Sequence, residues 1–561
     1  MPRSSRGGVR VTTNPIATAT RIGVVALAIT VVGPALQAQE PRPIAWGPCT
    51  DDSPHVEAEC ATVTLPLDHD APGGSTISVA AGRIMGTQAR TGRRTQLWFL
   101  PGGPGDSGIE ALGRLHALFG ELAVDIYSLD PRGVGGTALL RCPEQEAEDS
   151  DEGRELSTDE WPACIDWLAA NRSDLDYLTT TASARDLGAL VDTMTAPEDR
   201  VIVFGASYGT YWANRYLTLF PDQPDGVILD GIVPADWTFA EFDESLDGAG
   251  RRLLERCVRS TECASHLGPD PISLAEALPD KFDNGHCPDL SNEIDGAMLR
   301  LVFGNMLMGG PEVWPYIPAM IYRMERCKIR DLEAAGALFE TLFEADDAGE
   351  PESHSPVLQR HVSMSELWPE TGPSPADFEA ALTRTTMTTG VSASFATTYA
   401  DWPRYPRDEL AGETADYSGP MLLLHGGLDP TMPLERLAEL IDHFDAPGQE
   451  FVFFPDSGHV TVSDNPCSQS MYASFIEDPG APIDRSCVAT ASAVNLGAPD
   501  TDEPLFGTDD FWGESATTME IGVIIINVLL AAAMAGLVVW TSRFMRRQLA
   551  KRRGAGAQTP R

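Results

Sequence analysis

The sequence predicts an α/β protein whose mainly parallel sheet is interrupted by one long helical insertion. Short strand patterns alternate with helical patterns as far as residue 234. From 235 to 418 the segments are helical in pattern, acidic and Pro-containing, and strand patterns return after residue 418. Strands that alternate with helices favour a parallel sheet, and the long helical stretch between them predicts an inserted cap.

Eight strands and three helices of the core are predicted from their periodicity. The first two strands alternate in polarity around the turn Ala71-Pro-Gly-Gly74, and the others are short apolar runs. The predicted strands cover residues 61–67, 76–85, 96–100, 123–129, 201–204, 227–229, 421–424 and 451–454. The helices cover 109–120, 183–194 and 208–220. The core is therefore predicted in two parts, 39–234 and 419–494, around a cap over 235–418.

The N-terminal 38 residues have the pattern of a secretory signal peptide. Four arginines precede or open an apolar run over 22–32, and Leu36-Gln-Ala38 supplies small or apolar residues at the usual cleavage positions. This pattern predicts export and cleavage near Ala38.

The C-terminal region predicts a membrane anchor. Residues 521–540 carry no charge, which is enough chain to cross the hydrocarbon core as a helix over 521–541. An acidic, Gly-containing linker is predicted over 495–520 and a basic cytoplasmic tail over 542–561. The positive-inside rule then places the body of the protein outside the cell membrane. A cleavable sorting tail would give a similar pattern.

The charge distribution limits the partners of the protein. The net charge is −42, and all 82 acidic residues lie between 39 and 520. Such a body repels nucleic acid, so no nucleic-acid partner is expected. Solubility in a salty or acidic setting is favoured over a specific cationic substrate as the reason for the acidity.

Ten cysteines in an exported chain are expected to form disulfides. Sequence alone cannot fix their connectivity, and pairing between neighbours along the chain is taken as the working hypothesis. Metal binding would need close pairs of the CxxC kind, which the chain lacks. The proposed pairs are Cys49 with Cys60, Cys142 with Cys164, Cys257 with Cys263, Cys287 with Cys327 and Cys467 with Cys487.

A nucleophile is predicted at Ser207, in Gly205-Ala-Ser-Tyr-Gly209. The G-x-S-x-G pattern is weak alone, but here an apolar strand runs into it and a helix leaves it, as the motif requires. A serine hydroxyl needs a base. In α/β enzymes that carry this motif, the acid and then the base follow the serine along the chain. Asp429 and His459 each follow a predicted strand in that order, so they are predicted as the acid and the base.

Two backbone N–H groups are predicted to bind the oxyanion. One belongs to Tyr208, directly after the nucleophile, and the other to Gly103 in the Pro101–Gly105 loop. In the mechanism His459 takes the Ser207 proton during attack on a carbonyl, and Asp429 stabilises the imidazolium. No nucleotide cofactor is expected, since the glycines at 133–136 lack the G-x-G-x-x-G spacing of a nucleotide site. No metal is expected either, since the chain lacks close CxxC pairs.

These motifs resemble the proline iminopeptidase and tripeptidyl aminopeptidase branch of the α/β-hydrolases. The resemblance covers about 44–490 and rests on Pro101–Gly108, Asp130–Thr137, Gly205–Thr210, the Asp429 and His459 loops and the cysteine-flanked ends. It implies an α/β-hydrolase fold with a cap and a TAP-like C-terminal part. Pro101 stands where iminopeptidases often carry His, and the membrane helix is not a usual feature.

The resemblance implies an aminopeptidase that acts on peptides with free N-termini. In that family acidic side chains of the cap receive the substrate's amine, as a cation in a closed pocket must be paired. The candidates here are Glu241, Asp243, Glu244, Glu366 and Asp401. An esterase or amidase with the same triad is the main alternative, and a non-catalytic protein on a hydrolase scaffold is the third.

Overall fold

The computed structural model describes residues 44–49, 58–87, 93–147, 150, 156–288, 294–344, 353–490, 493–501 and 504–514. The described residues from Ala45 onward belong to one compact unit, and of the other unit, 1–44, only Ile44 is described. The predicted signal peptide, membrane helix and basic tail lie outside the described residues. Within the described part of the chain, no helix combines the length and the apolar character needed to cross a bilayer.

The centre of the molecule is a nine-stranded sheet in the order β1-β2-β3-β5-β4-β6-β7-β8-β9. The neighbouring strands β5-β4-β6-β7-β8-β9 pair in parallel. At the other edge, the pairs β1–β2, β2–β3 and β3–β5 are antiparallel. The mainly parallel sheet is confirmed. The strands are β1 Gly47–Pro48, β2 Glu59–Pro66, β3 Thr76–Ile84, β4 Thr95–Leu100, β5 Val124–Leu129, β6 Arg200–Ala206, β7 Gly226–Asp230, β8 Met421–Gly426 and β9 Gln449–Phe454.

Both faces of the sheet are covered by apolar clusters. Successive strand residues point to opposite sides of the sheet, so each strand contributes to both clusters. In β4, Trp98 and Leu100 belong to one apolar cluster, while Leu97 and Phe99 belong to the other. The strands β4, β5 and β8 are buried along their whole length. Because both faces are covered, apolar residues point to both sides of these strands and do not alternate strictly with polar ones.

The helices that cover the sheet come from both parts of the core. Helix α4 starts directly after Ser207 and packs beside α3. The helices outside the insertion are α1 Leu112–Phe119, α2 Trp161–Asn171, α3 Thr180–Met194, α4 Tyr208–Leu219, α14 Leu437–His443 and α15 Pro466–Glu477.

The predicted insertion is helical. Among the described residues between Gly231 and Pro420, there are helices and loops but no strand. The helices of this segment are α5 Phe242–Arg259, α6 Thr261–Leu267, α7 Pro271–Asp283, α8 Gly296–Met308, α9 Tyr316–Arg326, α10 Ile329–Glu344, α11 Pro356–Glu366, α12 Pro375–Leu382 and α13 Val391–Thr398.

Two of the predicted disulfides lie in the first part of the core, and both are present. Cys49 follows β1 and is bonded to Cys60 of β2, so this bridge joins two paired strands at the sheet edge. Cys142, in the loop after β5, is bonded to Cys164 of α2. Both bridged ends of the second disulfide are buried, which fixes that loop against the helix.

The other three predicted disulfides are also present, so all five pairs are confirmed. Two of them lie within the helical insertion, and the third ties α15 to the chain that follows it. Each bridge fixes a local segment, as pairing between sequence neighbours implies. These three bridges are Cys257 to Cys263, Cys287 to Cys327 and Cys467 to Cys487.

The segment after residue 493 differs from the linker predicted over 495–520. Phe506, Phe511 and Trp512 are buried. Trp512 stacks on His266 of α6 with ring centroids 4.0 Å apart, and its indole N–H donates to Glu262 at 2.7 Å. The described part of this segment forms a strap that packs on helices of the insertion. It packs there because its aromatic side chains are buried, although the segment is acidic in composition.

Candidate active site

Ser207 stands on a sharp turn between β6 and α4. Its φ of 54° lies in the left-handed region, which a non-glycine residue seldom adopts. Gly209 allows the turn, since a Cβ there would overlap the backbone oxygen of Leu100. The strand before the motif and the helix after it, which G-x-S-x-G requires, are thus both present around this turn.

The loop proposed for oxyanion binding lies against Ser207. A Cβ placed on Gly102 would be 3.2 Å from the Cβ of Ser207, which is tighter than an ordinary contact, so a glycine here eases the close approach of the loop. Gly103 is the next residue, with φ of 101°. Tyr208 opens α4, so its N–H has no carbonyl one turn earlier in the helix and is available to a ligand.

Asp429 is fully buried on the loop after β8. The N–H groups of Thr431 and Met432 donate to its Oδ1 at 2.8 and 3.0 Å, and the Thr431 hydroxyl donates at 2.9 Å. Burial would raise the pKa of this carboxyl, but the neighbouring His459 and these donors hold the pKa well below its usual range. Asp429 is therefore a fixed anion.

His459 lies on the loop after β9 and faces that anion. Its Nδ1 is 2.7 Å from Asp429 Oδ2 and 3.0 Å from the Thr431 hydroxyl. Burial opposes a charged imidazole, yet Asp429 and the nearby Asp230 raise the pKa of His459. Assigning the Nδ1 proton to the Asp429 contact leaves Nε2 free to accept a proton.

Ser207 and His459 each contact the chain at the carboxyl end of β7. The N–H of Ser207 donates to the carbonyl of Asp230 at 3.0 Å. A Cβ placed on Gly231 would be 2.8 Å from Cε1 of His459, so the ring lies directly over this residue. Although both residues are described, no hydrogen bond joins the Ser207 hydroxyl to the imidazole. Such contacts are often long before substrate binds.

His425 is a second histidine beside the carboxylate. It is fully buried, and its Nε2 is 3.9 Å from Asp429 Oδ2, beyond hydrogen-bond range. Burial lowers its pKa to about 4, so the ring is neutral near pH 7. Its position is that of a structural neighbour of the carboxylate rather than that of the base.

The acidic residues considered for the substrate amine are mostly engaged elsewhere. Asp243 accepts five hydrogen bonds from backbone and hydroxyl donors between residues 388 and 392. Glu241 pairs with Arg436 at 2.9 Å. Glu244 and Asp401 are exposed on the surface. These contacts assign Asp243 and Glu241 to cap structure.

Glu366 is also consumed by the fold. It accepts hydrogen bonds from the hydroxyls of Tyr211 and Tyr405, at 2.9 and 2.6 Å, and from the Thr180 N–H at 3.1 Å. Arg215 supplies the counter-charge at 3.1 Å. With both oxygens engaged in a buried network, Glu366 has little capacity left for a ligand.

Sequence reasoning missed two residues of the site. Thr431 bridges Asp429 and His459, and Asp230 lies at the end of β7 under the His459 loop. The available signal for Asp230 was a carboxylate directly after an apolar strand and before a glycine, the same strand-end position that identified Asp429.

Residues 388–487 match the family described as TAP-like protein. Tripeptidyl aminopeptidase of Streptomyces lividans is 31% identical over 251 residues, which are 40% of this chain and 46% of the relative. Serine protease Hip1 of Mycobacterium tuberculosis strain H37Rv is 30% identical over 295 residues, 46% of this chain and 54% of the relative. The chain thus spans about half the length of the curated relatives it matches.

The chain is also similar to a carboxylesterase and to a solved proline iminopeptidase structure. Carboxylesterase B of the same strain is 36% identical over 106 residues, 17% of this chain and 20% of the relative. The proline iminopeptidase structure from Mycobacterium smegmatis is 14% identical with a TM-score of 0.34, and covers 75% of this chain and 98% of that one. The predicted resemblance to α/β-hydrolase peptidases of the tripeptidyl aminopeptidase type is confirmed by the family match and the named relatives.

Proposed function

We propose that this protein is an exported serine aminopeptidase that releases short peptides or single residues from free N-termini. The observation that carries the proposal is the buried Asp429–His459 pair, 2.7 Å apart, above the strand end that also holds the strained Ser207. A serine, an imidazole and a carboxylate in this order are the parts that acyl transfer requires.

The proposed mechanism follows from these positions. His459 Nε2 takes the Ser207 proton as the hydroxyl oxygen attacks the substrate carbonyl, and the N–H groups of Gly103 and Tyr208 bind the oxyanion. His459 then gives that proton to the leaving amine. Water, deprotonated by the same imidazole, hydrolyses the acyl-enzyme and frees Ser207.

Specificity for a free amine has support at the oxyanion loop. The carboxylate of Asp106 is half exposed, and a Cβ on Gly102 would lie 3.4 Å from its Oδ2 and 3.2 Å from the Cβ of Ser207. A carboxylate this close to the nucleophile suits a cationic N-terminus. The described contact of Asp106 is to His354, at 3.1 Å.

The substrate class is tested with a panel of chromogenic substrates. Peptides with free and with blocked N-termini are run beside short-chain p-nitrophenyl esters, with Ser207→Ala as the control. Cleavage of free peptides only, lost in the variant, supports the aminopeptidase. Cleavage of blocked peptides contradicts it, and so does cleavage of esters alone. The ester-only result favours the esterase alternative that the similarity to carboxylesterase B suggests.

Export and anchoring are part of the proposal. A signal peptide over 1–38 and five disulfides suit an oxidising compartment outside the cytoplasm. A helix over 521–541 would hold the core, 39–234 and 419–494, and the cap, 235–418, on the outer side. Removal of residues 521–561 should release the protein into the medium, whereas unchanged retention in the membrane fraction would refute the anchor.

A further inference from the structure

Asp230 is a fully buried carboxylate that the proposed mechanism leaves unused. It is the last residue of β7, and both of its oxygens are engaged by the loop that follows His459. The N–H of Thr461 donates to Oδ1 at 2.9 Å, while the Thr461 hydroxyl and the N–H of Val462 donate to Oδ2 at 3.0 Å each. The hydroxyl of Tyr472, from α15, donates to the same Oδ2 at 2.9 Å.

The backbone around Asp230 holds the other half of the site. Its carbonyl accepts the N–H of Ser207 at 3.0 Å, which fixes the nucleophile turn to the end of β7. Gly231 follows with φ of 66°, in the left-handed region, and lies under the ring of His459. One residue thus contacts the nucleophile turn through its backbone and the base loop through its side chain.

We infer that Asp230 is a positioning residue that couples the Ser207 turn to the His459 loop and keeps a negative charge beside the imidazole. The inference rests on the proposed serine-hydrolase function. It assigns a role to a residue that touches neither the reacting atoms nor the substrate. Two consequences follow: the loop geometry depends on the four donors, and the basicity of His459 depends on the charge.

The electrostatics agree with the geometry. Burial raises the pKa of Asp230 to about 6 despite its four donors, so the carboxylate is mainly ionised at pH 7 and loses its charge below pH 6. The titratable groups that face His459 are Asp429, His425 and Asp230, and Tyr472 faces Asp230. Two of these groups, Asp429 and Asp230, are carboxylates, and Asp230 is the one that lies at the end of β7.

The test is the pH dependence of Ser207 labelling by a fluorophosphonate, which needs an activated serine but no peptide substrate. Asp230→Asn removes the charge and keeps a side chain of the same size. We expect the acid limb of the labelling rate to move to lower pH by about one unit, since loss of the anion makes the imidazole easier to deprotonate. We expect the plateau rate to fall roughly tenfold to hundredfold as the loop shifts.

Two further variants separate charge from shape. Asp230→Glu retains the charge but displaces the loop, so the plateau should fall while the acid limb stays close to that of the unmodified protein. Asp199→Asn is the matched control. Asp199 is a buried carboxylate just before the amino end of β6, whereas Ser207 follows the carboxyl end of that strand, and Gln96 and Ala196 donate to Asp199. Its loss should leave the midpoint of the acid limb unchanged.

The possible outcomes are distinct. An acid limb in Asp230→Asn that coincides with that of the unmodified protein, in a variant that melts cooperatively, overturns the inference. The same shift in Asp199→Asn overturns it too, because the effect would then be general. Absence of labelling in the unmodified protein would instead refute the serine-hydrolase proposal.

Discussion

At the scale of single residues, the site is built from strand ends. Ser207 follows β6, Asp230 ends β7, Asp429 follows β8 and His459 follows β9. The carboxyl ends of parallel strands lie at one edge of a sheet, which is why residues more than 250 positions apart share a site. The same logic let the sequence predict three of these residues from motif and order alone.

What the sequence could not predict at this scale is the role of Asp230 and Thr431. Asp230 ends β7 next to Gly231, and Thr431 lies in a loop next to Pro430. A small polar residue beside glycine or proline more often has a role in turn formation. Their function depends on partners that fold back from other segments, such as Thr461 and Tyr472 for Asp230. Such partners are invisible until the strands are placed.

Asp429→Asn should leave the fold intact and reduce the hydrolysis rate about ten-thousandfold, because the wrong tautomer of His459 is then favoured. The loss of the anion also removes the main cause of the raised pKa of His459. The acid limb of kcat/KM should therefore move to lower pH, since the imidazole deprotonates more easily. Steady-state kinetics between pH 4 and 9 measure both effects, and a variant with unchanged kcat would contradict the assignment.

At the scale of elements, a buried network ties the helical insertion to α4, the helix that starts after Ser207. Glu366 ends α11, and its partners Tyr211 and Arg215 lie on α4, directly after Ser207. Tyr405, from the loop after α13, completes the network. The helical nature of this insertion was predictable from periodicity. The side chains that join it to the core were not, because each is an ordinary polar residue in its own segment.

Glu366→Ala should lower the free energy of unfolding by about 3–5 kcal/mol, since it leaves Arg215 as a buried cation with weakened pairing. Glu370→Ala, at an exposed position four residues later, is the control and should change stability by less than about 0.5 kcal/mol. Denaturant unfolding measures the difference. Equal stabilities of the two variants would show that the network does not hold the cap.

At the scale of the whole molecule, an acidic chain is stabilised by disulfides and by a C-terminal strap. The strap comprises the described residues 493–501 and 504–514, which pack on α6, α9 and α10 through Tyr316, His266 and Arg330. Composition predicted a loose linker here because Asp and Glu are frequent. The aromatic residues of this strap pack against partners about 190 to 250 positions earlier, which composition does not reveal.

Trp512→Ala should lower the free energy of unfolding by about 3–5 kcal/mol, through loss of the stack on His266 and of the hydrogen bond to Glu262. Asp509→Ala is a neighbouring control, because Asp509 is exposed and uses its backbone carbonyl for the turn. Thermal unfolding of the two variants compares them directly. If both melt at the temperature of the unmodified protein, the strap contributes nothing to stability.

We propose that His459 and Asp429 together make Ser207 nucleophilic. The most direct test of this proposal is covalent labelling by a fluorophosphonate, with the modified residue located by peptide mass spectrometry. We expect one adduct per chain, on Ser207. The adduct should be absent in Ser207→Ala, and its formation should be much slower in His459→Gln. An adduct on another residue, or undiminished labelling of the His459 variant, would contradict the proposal.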